Sequence, residues 1–146
     1  RVYARPEVPA LLKGDFEEPG LEPWGAWNQA AVVDYGARTG RRALRVDGGV
    51  GPQAASSGQQ TVYGLKPNTA YRLSAYARTT GAGIARLGVR DHGAPEARSA
   101  ASTAERYGPI ALEFTTGPSA TSATVYCWAE GAGAAFFDDV SLEVRG

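Results

Sequence analysis

The sequence has 146 residues and a mass of 15.3 kDa, a length at which one domain buries roughly 68–70% of its unfolded surface. With 43% apolar and 21% charged residues, disorder is excluded for the bulk of the chain, and fifteen basic side chains cancel fifteen acidic ones. That balance leaves no long-range field to recruit nucleic acid or an anionic membrane, and no apolar run approaches the ~20 residues of a membrane span.

A single cysteine, Cys127, and a single histidine, His92, exclude an internal disulfide and a zinc site built on Cys or paired His. The chain opens at Arg1 with no basic segment leading into an apolar one. The expectation is a mature or excised module of a larger, secreted or cell-surface protein.

In chain order, residues 1–10, with Pro6 and Pro9 around Glu7 and Val8, read as a linker or lead-in, and residues 11–146 as one folded unit. The stretch from Leu11 is expected to hold a first strand ending just before Glu17. Trp24 and Trp27 follow in a Pro/Gly-rich loop. Ala43 to Asp47 alternates, and 50–58, rich in Ser, Ala and Gly, reads as a long loop.

The clearest alternation lies in Tyr71 to Arg78, where Tyr71, Leu73, Ala75 and Ala77 share one parity and Arg72, Ser74, Tyr76 and Arg78 the other. Across the turn Thr80-Gly81-Ala82-Gly83, residues 84–90 alternate likewise and are expected to pair with 71–78. A second long loop is expected over 93–104, then strands at 111–115, 124–128 and 136–144. No window carries a helical stripe of apolar residues. The predicted fold is all-β with almost no helix, a jelly-roll β-sandwich of two antiparallel sheets.

Four segments, in order, carry a resemblance. Leu11-Leu12-Lys13-Gly14-Asp15-Phe16-Glu17 with Trp24, then Gly40 to Val46, then Gln60 to Tyr71, then Phe136 to Leu142, resemble the carbohydrate-binding modules grouped as families 4, 9, 16 and 22. The likeness spans about residues 10–145. It implies a jelly roll that anchors a catalytic domain of the same parent chain to polysaccharide. It also implies a structural calcium held by the Glu17 and Asp138 side chains and by backbone oxygens of Asp15, Thr39 and Arg42. Asp139, of opposite parity to Asp138, is expected to point elsewhere.

Sugar rings stack their C–H faces on flat side chains beside hydrogen-bonding groups. Trp24 reads as a core plug and Trp27 as a ligand contact. Tyr126 and Trp128 share a parity opposite to Val125 and Cys127; if the small pair faces the core, the two rings form an outer platform, and otherwise they are themselves core. Gln60 is a candidate amide donor.

The expected pairing of 71–78 with 84–90 would gather Arg72, Tyr76, Arg78, Arg86 and Arg90 in one patch, suited to the carboxylates of a uronate polymer such as alginate or pectin. The alternative is that these arginines pair with nearby acids. His92 reads as an exposed loop residue, and no nucleophile elbow, phosphate loop or dinucleotide fingerprint is present, so no enzyme is expected. A β-sandwich spacer without a sugar ligand is the competing function; it would confine its aromatic residues to the core.

Overall fold

The computed structural model describes residues 11–49, 55–94 and 98–145; the expected lead-in at 1–10 lies outside the described residues. Ten strands follow one another, β1 (Gly25–Trp27), β2 (Ala30–Val33), β3 (Ala43–Asp47), β4 (Ala55–Tyr63), β5 (Ala70–Gly81), β6 (Ile84–Arg90), β7 (Arg98–Ser102), β8 (Gly108–Thr115), β9 (Ser122–Glu130) and β10 (Gly133–Val144). No helix occurs among the described residues. The strands form two antiparallel five-stranded sheets, β1-β4-β9-β6-β7 and β2-β3-β10-β5-β8, packed as a jelly-roll sandwich.

The alternation in the sequence becomes the core. Tyr71, Leu73, Ala75 and Ala77 of β5 point inward beside Leu112 and Phe114 of β8, facing Leu87 and Val89 of β6 and Val125 and Cys127 of β9. Each fully buried Leu or Val is worth about 1.5–3 kcal/mol of transfer free energy. Trp24, 2% exposed, tilts against Phe16 with ring centroids 5.3 Å apart. Its indole N–H is shared between the carbonyls of Leu12 and Lys13, both at 3.1 Å, which ties the incoming segment to the core.

Several expectations are corrected. β5 and β6 do not pair: β5 lies between β10 and β8, and β6 between β9 and β7. The turn at 81–83 carries the chain from one sheet to the other, packed against the β9–β10 corner, where a Cβ on Gly133 would overlap the Thr80 carbonyl. The expected loops at 50–58 and 93–104 contain β4 from Ala55 onward and all of β7. Their Ala, Ser, Gly and Gln residues lack the apolar alternation that reveals a strand.

The segment from Leu11 forms no strand, because Lys13 and Phe16 adopt positive φ of 52° and 58°. It still lies along the end of β10, where the Val140 N–H donates to the Gly14 carbonyl at 2.8 Å. His92 is buried, 1% exposed, with its ring edge-on to Phe114 at 5.4 Å. The turn after β6 folds back over the sandwich end, where the Gly117 N–H donates to the His92 carbonyl.

Candidate functional site

The outer face of the β1-β4-β9-β6-β7 sheet carries a cleft of about 390 Å³, lined by Ser57, Gln59, Arg86, Arg90, Ser99, Tyr126, Trp128 and Glu130. Its layout is read from the strand register. Trp27, Ser57, Trp128 and Arg86 form one cross-strand row; Gly25, Gln59, Tyr126, Gly88 and Ser99 form the next; Thr61, Thr124 and Arg90 form a third. All face outward because the intervening residues, among them Val125, Cys127, Leu87 and Val89, are core.

Each large ring stands next to a small residue on the adjoining strand. Trp27 and Trp128 lean across Ser57 and stack, with centroids 5.2 Å apart and planes 17° from parallel. Tyr126 lies across Gly88, where any Cβ would overlap its ring, and meets Trp128 edge-on at 6.4 Å and 73°. Glycine inside a strand removes the obstacle to this close approach. Polar groups surround the rings: the Ser57 hydroxyl donates to Gln59 Oε1 at 2.8 Å, and Arg86 Nε donates to Glu130 Oε1 at 2.7 Å. The Trp128 indole N–H reaches Glu130 Oε2 at 3.4 Å. Burial raises the Tyr126 phenol above its usual pKa, while Arg90 and Arg86 on either side pull it down.

Not every expected sugar contact belongs to this cleft. Gln60 is inward, 4% exposed, and its amide clamps Leu12, accepting the backbone N–H at 2.8 Å and donating to the carbonyl at 2.9 Å. Tyr76 and Arg78 lie on the outer face of the opposite sheet, so the expected patch of four arginines does not exist. There the 34–42 segment roofs the sheet. Arg38 lies 3.4 Å above the Tyr76 ring, Arg78 stacks on Phe136 at 4.3 Å, and the Tyr107 hydroxyl donates to the Gly36 carbonyl at 2.7 Å. Arg72 faces Glu113 across the β5–β8 pair at 3.8 Å. Gln59, Ser57 and Ser99 were missed, since their parity was hidden by strands without apolar alternation, and Glu130 because it lies beyond the expected strand end at 128; Gly88, a glycine inside an alternating run, was the available signal for the close approach of a ring.

Two of the residues expected to hold calcium, Glu17 and Asp138, bond the 38–42 turn. Asp138, fully buried, accepts the backbone N–H groups of Arg38 and Thr39 on Oδ2 at 3.0 and 3.1 Å, and that of Asp139 on Oδ1 at 2.8 Å. Glu17 accepts the N–H groups of Arg41 and Arg42 at 2.8 and 3.1 Å, so both carboxylates grip the 38–42 turn. The Asp15 carboxylate accepts the Glu17 N–H at 3.3 Å. Asp139 is a correction: a break in register between Asp138 and Ser141, with Asp139 at φ 52°, turns it back to the same turn, where it accepts from the Thr39 hydroxyl at 2.8 Å and pairs with Arg38 at 3.0 Å.

Burial pushes the Asp138 pKa up to about 6, opposed by the three backbone N–H bonds and reinforced by the neighbouring Asp139 charge. No basic side chain bonds the Asp138 carboxylate among the described residues. No group of three or more His, Cys, Asp or Glu is placed to hold a metal among them either, so a cation here draws on backbone oxygens. The donor set fits calcium: it is all hard oxygen, each Glu17 oxygen keeps a lone pair beyond its single N–H bond, and a buried carboxylate lacks a counter-charge.

Known proteins agree with this architecture. The chain is 36% identical, over 98% of its length, to a keratan-sulfate endo-1,4-beta-galactosidase of Sphingobacterium multivorum, and it spans 32% of that protein. The sandwich resembles the structure of TmCBM61 in complex with beta-1,4-galactotriose, with a TM-score of 0.74 at 19% identity, covering 95% of this chain and all of that one. It also resembles a Family 16 Carbohydrate Binding Module-2, with a TM-score of 0.74 at 21% identity over 90% and 97% of the two chains. The CBM22-1 xylan-binding domain from Paenibacillus barcinonensis Xyn10C gives 0.69 at 18% identity over 90% and 91%. The family model described as a carbohydrate binding domain matches residues 8–133, and the chain belongs to that family.

Proposed function

We propose that the protein is a non-catalytic module that binds a galactose-containing polysaccharide in the Trp27–Trp128–Tyr126 cleft and thereby holds an attached, extracellular glycoside hydrolase on its substrate. The exposed Trp27–Trp128 stack beside Tyr126, bordered by hydroxyl, amide and guanidinium donors, is the observation that carries this reading. Trp27, 41% exposed on top of Trp128, leaves apolar ring surface for the C–H faces of sugars, and Gln59 and Ser99 offer hydrogen bonds to hydroxyls. Galactose as the sugar is supported by the substrate in the name of the 36% identical relative and by the galactotriose bound in the TmCBM61 structure. A spacer without ligand would confine its aromatic residues to the core, and this arrangement counts against one.

The absence of catalysis is inferred from the carboxylates. Glycoside hydrolysis commonly takes two carboxyl groups about 5–9.5 Å apart across the sugar. Among the described residues lining the cleft Glu130 is the only acid, and it is tied to Arg86. Calcium, held by Glu17 and Asp138 with backbone oxygens of Asp15, Thr39 and Arg42, would pin the 38–42 turn and offset the buried charge. Its role is structural, since this turn belongs to the opposite sheet from the cleft. A uronate ligand loses the support of Arg72 and Arg78, and Arg86 and Arg90 remain.

Affinity electrophoresis against galactan, keratan sulfate, xylan, alginate and polygalacturonate tests the reading. Retardation by the galactose-containing polymers, abolished in Trp128→Ala, is expected. Unaltered migration in all five would overturn it.

A further inference from the structure

We infer that Arg90 forms an anion subsite of the cleft, which recognises a sulfate ester or carboxylate carried by the bound sugar chain; the inference rests on the cleft being the sugar site. Arg86 and Arg90 flank Tyr126 on β6, two residues to either side of Gly88, so each lies roughly 7 Å along the strand from the ring's seat. Their electrostatic situations differ. Arg86 is bound through Nε to Glu130 at 2.7 Å, so its charge is already answered. Arg90 is exposed and, among the described residues, has neither a hydrogen bond nor an ion pair.

The contrast is one within the cleft, since exposed Arg41 and Arg106, away from it, have no ion pair among the described residues either. Arg38, Arg45, Arg72, Arg86 and Arg145 each pair with a carboxylate, and Arg78 stacks on Phe136. Arg90 is the only unanswered guanidinium lining the cleft among the described residues. With one paired and one unpaired arginine against one carboxylate, the cleft carries a local excess of one positive charge in a chain whose net charge is zero. Neutral sugar hydroxyls need donors and acceptors, and Gln59 and Ser99 supply both. A guanidinium fork kept free beside them matches the paired oxygens of a sulfate or carboxylate. With the sugar face on Trp128 and Tyr126, a substituent projecting toward the Arg90 end meets that fork, with the Ser99 hydroxyl among the neighbouring donors.

Isothermal titration of the intact protein with a neutral β-galactan, the same polymer after chemical sulfation, and polygalacturonate tests the subsite. The sulfated polymer is expected to bind at least tenfold more tightly than the neutral one, with a preference that shrinks between 50 and 500 mM salt. Arg90→Gln is expected to bring the ratio of the two affinities close to one, and Arg90→Lys to keep part of it. Polygalacturonate separates the sources: binding there assigns the subsite to carboxylates as well, and its absence restricts it to sulfate esters on galactose. Equal affinity of the native protein for neutral and sulfated galactan would overturn the subsite while leaving the sugar cleft standing. A preference that survives Arg90→Gln would overturn it too, and no binding to any of the polymers would remove the cleft reading and the subsite together.

Discussion

Trp27 and Trp128 stack at 5.2 Å although a whole strand, β4, separates their backbones. The contact exists because Ser57 is the residue between them in the row, and its small side chain leaves the two indoles room to close over it. Trp27 sits on a three-residue edge strand and is 41% exposed, so Trp128 supports it more than the reverse. Trp128→Ala should therefore weaken galactan binding more than Trp27→Ala does, each by about tenfold or more, equivalent to about 1.4 kcal/mol per factor of ten. Both variants should melt within a few degrees of the native protein. Trp24→Ala removes a buried ring and should cost about 3–5 kcal/mol, lowering Tm by about 10 °C or more. Thermal scans and titrations of the three variants check the contrast, and a Trp128→Ala protein as unstable as Trp24→Ala would contradict the outward placement.

The alternation in Tyr71–Arg78 was legible because apolar side chains mark one parity directly, whereas in 125–128 both parities carry apolar or aromatic side chains and only the structure turns Val125 and Cys127 inward. Trp24 and Trp27 separated as expected into a core ring and an exposed ring. Three features escaped the pattern for physical reasons. A tight turn between two alternating runs signals a hairpin, yet the 81–83 turn crosses between sheets, because β10 and β9 already occupy the neighbouring positions beside β5 and β6. β4, with Ser, Gly and Gln where apolar residues would mark a face, conceals its register, and so concealed that Gln60 points inward while Gln59 lines the cleft. The Asp138–Asp139 bulge likewise defeats an argument from parity, which assumes an unbroken strand.

Gly88 lets the Tyr126 ring lie flat against β6. Gly88→Ala places a methyl where the ring is, and Tyr126, half-buried at the surface, can swing outward at modest cost to the fold. The expected outcome is a destabilisation of about 1–3 kcal/mol, a changed near-ultraviolet circular dichroism spectrum and at least tenfold weaker sugar binding. Unchanged affinity would show that the ring's seat on Gly88 is irrelevant to the ligand.

Cys127 is fully buried between the sheets, and burial drives its thiol pKa well above the usual range. A thiol that stays protonated and enclosed is not a nucleophile. The native protein should leave a thiol reagent such as 5,5′-dithiobis(2-nitrobenzoate) unconsumed at pH 8 and react with one equivalent in guanidinium chloride. Rapid reaction under native conditions would show that the core opens locally at β9.

Asp138 makes the fold pH-sensitive in a direction that calcium should reverse. Its folded pKa, about 6, lies above the unfolded carboxylate value of about 3.9. Between those values the native state holds a proton that the unfolded state has released, so this group's contribution to stability falls as pH rises from about 4 to about 6, by on the order of 3 kcal/mol. The proposed calcium would bind the ionised carboxylate, compete with that proton and stabilise only the folded chain, by about 2.7 kcal/mol at a hundredfold excess over Kd. Calcium should therefore raise Tm more at pH 7 than at pH 4.5. Chelator should lower Tm at pH 7 without abolishing the β-sheet spectrum at low temperature, and Glu17→Gln should mimic chelation. Differential scanning calorimetry at the two pH values, with calcium and with chelator, measures all of this, and a Tm at pH 7 indifferent to both would leave the 38–42 turn held by the Glu17, Asp138 and Asp139 carboxylates without a cation.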